Sequence, residues 1–350
     1  MGKKFFVSDC EGPISINDNA FELSNHFIDD GDKFFKIVSR YDDVLADVLK
    51  RQGYNAGGTL KFILPFLKAY GATNHNIIDF STSNVHLIPG AVETLKFINS
   101  IMPSFIVSTS YYHYIMAVCN KTGFPIDKTY STKLNMDNVD IDTEELDIIK
   151  EYKSAIVKDP EFELLDRIFW KELPKLKIAS IMDTVKPIGG EGKKDAVLDI
   201  ISQYHLKAQD LFYIGDSITD VEPLKFANDN GGIAVSFNGN EYAIEEAEIA
   251  VIADNTLITS VMADIFNRYG TDNVFEFVKD YASDPEYALK SRFVNQKLAD
   301  KMLSFSLPYV EIITCNNINA IIEKSSDIRK KLRGESIGGL GCLLYTSRCV

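Results

Sequence analysis

Short runs of β-branched and aromatic residues alternate along this chain with longer segments of helical periodicity, the pattern of a parallel sheet joined by crossover helices. Five runs are almost wholly apolar, as strands covered on both faces are: Lys4 to Ser8, Ser104 to Ser108, Leu211 to Ile214, Gly232 to Phe237 and Ile249 to Ile252. The stretch between the first two is rich in helix signals, including Asp30 to Gln52 and Thr59 to Tyr70, and is too long for a simple crossover. It predicts an inserted helical cap over residues 14–86. Leu87, Pro89 and Gly90 then turn the chain back ahead of the amphipathic segment Ala91 to Asn99.

The α/β core is therefore expected over 1–13 and 87–254, interrupted at 126–182 by an acidic insertion with helical stretches around Asp142 to Lys158 and Glu161 to Leu173. Beyond Asp254 the pattern is helical to about Leu332, with one further strand run at Tyr309 to Thr314, and predicts a C-terminal helical extension over 255–337. Residues 338–350 change composition abruptly and add Cys342 and Cys349; a disordered tail is expected there. The predicted fold class is α/β, a doubly wound parallel-sheet core with an inserted helical cap and a C-terminal helical extension.

Composition narrows the function classes. The 350 residues are 45% hydrophobic and 25% charged, a globular balance that excludes fibrous and wholly disordered readings. Lys and Arg number 37 against 50 Asp and Glu, and the formal charge of −13 repels phosphate backbones, so no nucleic-acid partner is expected. A locally basic pocket for one small anion is compatible with that field. No apolar run reaches the length of a membrane helix and the mean hydropathy is −0.06, so no membrane association is expected. The apolar stretch after Lys3 and Lys4 is too short for a secretory signal, and Phe6 stands where the myristoylation pattern needs Ser or Thr. Five scattered cysteines without a C-x-x-C pair argue against a disulfide framework or zinc site and fit a reducing cytoplasm. Nothing in the sequence specifies an oligomeric state.

Four places combine reactive side chains with strand ends, where open α/β sheets bind their ligands. The first strand ends in Asp9-Cys10-Glu11-Gly12-Pro13, whose two carboxylates can act as nucleophile and proton donor, or form an acidic loop. The strand Leu211 to Ile214 ends in Gly215-Asp216-Ser217-Ile218-Thr219-Asp220, hard oxygen ligands suited to Mg²⁺, or else a turn and helix cap. Ser108 and Thr109 follow Phe105-Ile106-Val107, where a hydroxyl and backbone N–H groups can hold an anion or cap a helix. Lys193 follows Gly189, Gly190 and Gly192 at a helix start, placed to neutralise phosphate charge or to face solvent, with Lys194 beside it as a substitute.

Taken in order, aspartate motif, cap, Ser motif, Lys motif and acidic Gly-Asp motif, these pieces resemble the haloacid dehalogenase superfamily, whose members are mostly Mg²⁺-dependent phosphatases. The resemblance spans about Lys4 to Asp254, and Gly192-Lys193, Gly215-Asp216 and Ile233 to Gly239 look most like the phosphoserine-phosphatase-type branch. The opening Asp-Cys-Glu-Gly-Pro is also similar to that of uncharacterised microbial members. The resemblance implies Asp9 as nucleophile through an aspartyl-phosphate and Glu11 as proton donor and water activator. It further implies phosphate binding by Ser108, Thr109 and Lys193, and Mg²⁺ between Asp9, the Glu11 carbonyl and Asp216, supported by Asp220. The implied substrate is a small phosphorylated metabolite, cleaved as a phosphate monoester.

Two positions depart from the family pattern: Glu11 replaces the usual second Asp, about 1.5 Å longer in reach, and Pro13 follows Gly12 where Thr or Val is usual. Glu11 leaves open a phosphotransferase or mutase, or a phosphate-ligand binding protein without turnover. Specificity is expected in the cap, with Arg40, Tyr41, Tyr54 and Lys61 as candidates. Other signals lack their context. Gly334-Glu335-Ser336-Ile337-Gly338 matches G-x-S-x-G but follows a basic helical stretch with no downstream His. Gly190 to Asp195 satisfies neither the dinucleotide nor the P-loop pattern, and the five histidines, His113 included, form no metal-binding pair.

Overall fold

The computed structural model describes residues 2–139 and 141–340. One seven-stranded sheet runs in the order β3-β2-β1-β4-β5-β6-β7. Its strands are β1 (Phe5–Ser8), β2 (Ser104–Tyr111), β3 (Thr129–Thr132), β4 (Leu211–Gly215), β5 (Ile233–Phe237), β6 (Ile249–Ile252) and β7 (Tyr309–Ile312). The first six pair in parallel, and β7 closes the edge antiparallel to β6, with Ala250 opposite Glu311.

The apolar strands are wholly apolar because both faces are covered. Phe6, Phe212, Ile214, Val235 and Phe237 pack beneath the helices Leu257–Tyr269 and Thr271–Ser283. Alternate positions, Phe5, Val7, Phe105, Tyr213 and Ala234, pack on the helices Glu191–Tyr204 and Val221–Asp229. Val7 is in register with both Phe105 and Tyr213, which locks β1 at the centre of the sheet.

Helices fill most of the segment between β1 and β2, beginning with Asn19–Phe27, whose first turn is capped by Asp18. Phe34, Val38, Ile63 and Phe66 form a second hydrophobic body above the sheet, and Ile149, Ile156, Leu165, Phe169 and Ile178 belong to the same body. The stretch expected as an acidic insertion in the core therefore divides. Thr129–Thr132 is an edge strand of the sheet, while residues from Met136 to Val185 pack with the helices of 14–86. The acidic character of the helix Thr143–Lys158 belongs to its outer side, since only Ile149, Lys153 and Ile156 are buried.

The C-terminal region is helical except for β7, which takes it back into the sheet. The chain then enters a helix at Ile318 that breaks at Gly334, where φ is 78°. The expected tail begins inside this element: Gly338 is buried at its end, and residues 341–350 lie outside the described residues. Among the described residues no helix is long and apolar enough to cross a membrane.

Candidate functional site

Strand order reverses at β1, whose neighbours are β2 on one side and β4 on the other, so the loops after these strands diverge and leave a crevice at their carboxyl ends. Asp9, immediately beyond β1, is held there by its backbone N–H, which donates to Ile214 O at 2.9 Å. Asp216, immediately beyond β4, faces it. Gly12, with φ of 101°, makes their close approach possible: a Cβ at this position would lie 2.3 Å from Asp216 Cγ. Gly215 serves Asp220 in the same way, a Cβ there falling 2.4 Å from Asp220 Cγ.

Lys193 reaches the crevice from the first turn of Glu191–Tyr204, whose preceding loop is tied to the Asp220 loop by Gly190 N–H donating to Thr219 O at 2.9 Å. Its fully buried Nζ donates to Asp9 Oδ2 at 2.7 Å and to Asp220 Oδ1 at 2.8 Å. Asp220 also accepts from the Tyr213 hydroxyl at 2.7 Å and from the backbone N–H groups of Asp216 and Ser217. Both Asp220 oxygens are thereby occupied, and this carboxylate organises the loop.

Burial raises the Asp9 carboxyl to about 7; Lys193 opposes the shift, and Asp220 and Asp216 add to it. For Lys193 burial works against the ammonium, but Asp220 and Asp9 outweigh it and hold its pKa above the ordinary lysine range.

A cavity of about 140 Å³ opens over these groups. Its floor includes Asp9, Asp216, Ser108 and Thr109, and helices of the 14–86 segment supply Phe35, Ser39, Asp43 and Thr59 to its wall. Ser108, inside β2, has its hydroxyl 3.2 Å from Ser110 Oγ, and the buried Thr109 hydroxyl has no hydrogen-bond partner among the described residues. An orphaned buried hydroxyl in a cavity wall is a place for a ligand oxygen.

Glu11 lines the same cavity, but its carboxylate turns to the cap: Oε1 accepts the Asn19 N–H at 2.7 Å. Burial and the neighbouring Asp18 push its pKa well above the ordinary range, against the pull of the Asn19 N–H and Arg333. Among the described residues the acidic trio with oxygens within 4.8 Å of one another is Asp9, Asp216 and Asp220, and the Glu11 carboxylate expected beside them is not part of it. The donor set fits Mg²⁺, which takes one or two carboxylates and fills its remaining positions with water and phosphate oxygens. Among the described residues Asp216 accepts hydrogen bonds at Oδ2 only, which leaves its Oδ1 open to a cation, whereas Asp9 accepts from Lys193 Nζ at Oδ2 and from the Cys10 N–H at Oδ1, 2.6 Å away.

The cap residues singled out for specificity do not line this cavity. The Tyr54 hydroxyl donates to Asp42 at 2.6 Å, and Tyr41 is buried between Asp166 and the Trp170 N–H. Arg40 borders a separate groove on the outer side of the cap, and Lys61 is half-buried. His113 is buried and also lies outside the cavity lining.

Sequence reasoning missed two residues altogether. Arg329 Nη1 donates to Asp216 Oδ2 at 2.7 Å and Arg333 Nη1 to the same oxygen at 3.1 Å, both from the C-terminal helix. The available signal was a stripe at a spacing of four, in which Ile321, Ser325 and Arg329 are buried and Arg333 half-buried.

No family model and no curated protein matches this chain. Among solved structures it is similar to gene product AF1437 from Archaeoglobus fulgidus, with a TM-score of 0.83 and 25% identity over 97% of this chain and 99% of that one. A phosphoserine phosphatase in apo form aligns with a TM-score of 0.43 and 15% identity over 72% of this chain and 95% of its own. A phospho-aspartyl intermediate analogue of phosphoserine phosphatase aligns with a TM-score of 0.41 and 16% identity over 71% and 93% of the two chains. The similarity that extends over nearly the whole of both chains, C-terminal extension included, is therefore one of architecture, an α/β core with a mostly parallel sheet.

Proposed function

We propose that the chain is a phosphatase of the haloacid dehalogenase type, hydrolysing a small phosphate monoester through an aspartyl-phosphate on Asp9. The observation that carries this reading is the meeting of Asp9, Lys193, Asp216 and Asp220, from three separate parts of the sequence, beside the unpartnered Thr109 hydroxyl at one end of the sheet. The order of motifs along the chain supports the same superfamily.

In this mechanism an Asp9 oxygen attacks phosphorus as the ester P–O bond breaks. Glu11, whose burial favours the protonated carboxyl, gives its proton to the leaving oxygen. It then takes a proton from the water that cleaves the aspartyl-phosphate. Lys193, Ser108 and Thr109 hold the phosphoryl oxygens, and the 2.7 Å contact of Lys193 favours the ionised form of Asp9 against the burial that raises its pKa. Mg²⁺ would be held by Asp9, Asp216 and the Glu11 carbonyl with Asp220 behind them, and would supply charge neutralisation between an anionic nucleophile and an anionic substrate. The cavity of about 140 Å³ suits a phosphoryl group with a small remainder, which favours a metabolite over a polymer.

The test is phosphate release from a generic aryl phosphate with and without Mg²⁺, with Asp9→Asn as the blank. Metal-dependent release that disappears in the variant is the expected result. Turnover by Asp9→Asn at the wild-type rate would sink the proposal.

A further inference from the structure

The C-terminal helix sends two permanent positive charges into the acidic trio. Arg329 is 4% exposed, and besides Asp216 Oδ2 its Nη1 donates to Asp216 O at 3.0 Å and Asn238 O at 2.7 Å, which ties the loops after β4 and β5 together. Arg333 spans a different gap. Its Nε and Nη2 donate to Ile16 O at 3.0 Å and Asn17 O at 2.6 Å, at the entry to the cap, while Nη1 holds Asp216. The helix is fixed in this register by Ser325 Oγ donating to Gly239 O at 2.6 Å.

We propose that Arg329 and Arg333 are built-in counter-cations of the carboxylate cluster, positioning residues that act through Asp216 and set a divalent cation in competition with the protein's own guanidinium groups. The inference rests on reading the acidic trio as a cation site, as above.

A guanidinium stays charged even when buried, so the two arginines neutralise Asp216 without any metal and preassemble the crevice. A divalent cation arriving at Asp216 then meets two positive charges at close range, in surroundings of low dielectric where repulsion is weakly screened. The arrangement weakens cation binding and in return holds the Asp216 loop, the Asn238 loop and the cap entry in one geometry before the cation arrives. Neither arginine needs to touch the reacting atoms for this role.

The experiment is calorimetric titration of MgCl₂ into the metal-stripped full chain, comparing wild type with Arg333→Gln and Arg329→Gln. Glutamine ends at about the position of the arginine Nε, so it removes the charge together with the Nη hydrogen bonds, and Arg333→Lys separates the two effects by keeping the charge. The Mg²⁺ dissociation constant is expected to fall about tenfold or more in Arg333→Gln. Arg333→Lys, which keeps the charge, should return it toward the wild-type value, and adding Asp216→Asn to Arg333→Gln should abolish the gain.

Unchanged or weaker Mg²⁺ binding in glutamine variants that unfold cooperatively overturns the inference. So does absence of Mg²⁺ binding in the wild type and every arginine variant. If Arg333→Gln does not fold, Arg329→Gln carries the same comparison, because its charge sits on the same oxygen. Phosphate release is a separate readout: tightened Mg²⁺ binding without turnover in any form sinks the hydrolase reading and leaves the role of the arginines standing.

Discussion

Lys193 Nζ lies 2.7 Å from Asp9 Oδ2 with side-chain exposures of 0% and 6%, so neither charge has water to replace its partner. Lys193→Met would leave Asp9 buried beside Asp216 and Asp220 with its nearest cation gone. Breaking one side of a buried pair costs about 3–5 kcal/mol, and phosphate release should fall by about 10²-fold or more. Differential scanning fluorimetry and the phosphate assay read the two effects. A variant that melts with the wild type would show that this pair does not hold the crevice together.

The approach of the Asp9 and Asp216 loops depends on a missing side chain. Gly12→Ala adds no charge and removes no donor, yet its methyl group would lie 2.3 Å from Asp216 Cγ on a backbone at φ of 101°. The strain should cost about 1–3 kcal/mol, and because it is relieved by displacing Asp216, activity should suffer more than stability. Circular dichroism melts beside turnover measurements check this, and wild-type turnover would mean that Asp216 can sit elsewhere without consequence.

Within the cap, burial pushes the Glu22 carboxyl from its ordinary 4.5 up to about 7, against the Asn17 amide that donates to both of its oxygens. The folded state therefore holds this proton at pH values where the unfolded chain has released it. Stability from this group is present below about pH 4.5 and is lost as pH rises through about 7. Glu22→Gln should flatten the stability profile across that window and compare more favourably with wild type at pH 8 than at pH 4. Urea unfolding at both pH values measures it; an equal difference at the two would show that the carboxyl does not titrate as stated.

Much of the core was legible because burial on both faces writes itself as continuous apolar runs. The runs at Lys4 to Ser8 and Leu211 to Ile214 each fall within one residue of the strands they become. Thr129–Thr132 escaped because an edge strand needs no such run, and Thr-Tyr-Ser-Thr carries no apolar face to detect. Residues 126–182 read as an insertion in the core because local periodicity marks a helix without saying what it packs against, and the partner of residues 136–185, the 20–77 segment, lies far away in sequence. The carboxylates and Lys193 were visible as strand-end and helix-start chemistry. Arg329 and Arg333 were not, since a basic stretch on a helix reads as a solvated face unless its neighbours at a spacing of four are known to be buried.

Through Arg333, Ile16 and Asn17 are joined to a residue made more than 300 positions later. Asp9, the cap and the sheet through β6 emerge from the ribosome well before the helix that begins at Ile318. Until that helix docks, Asp216 lacks both of its guanidinium partners and the cap entry at Ile16 and Asn17 lacks its fastening. A nascent chain can therefore carry Asp9, Lys193 and Asp216 without an assembled centre, and the crevice is completed only when the helix that begins at Ile318 docks.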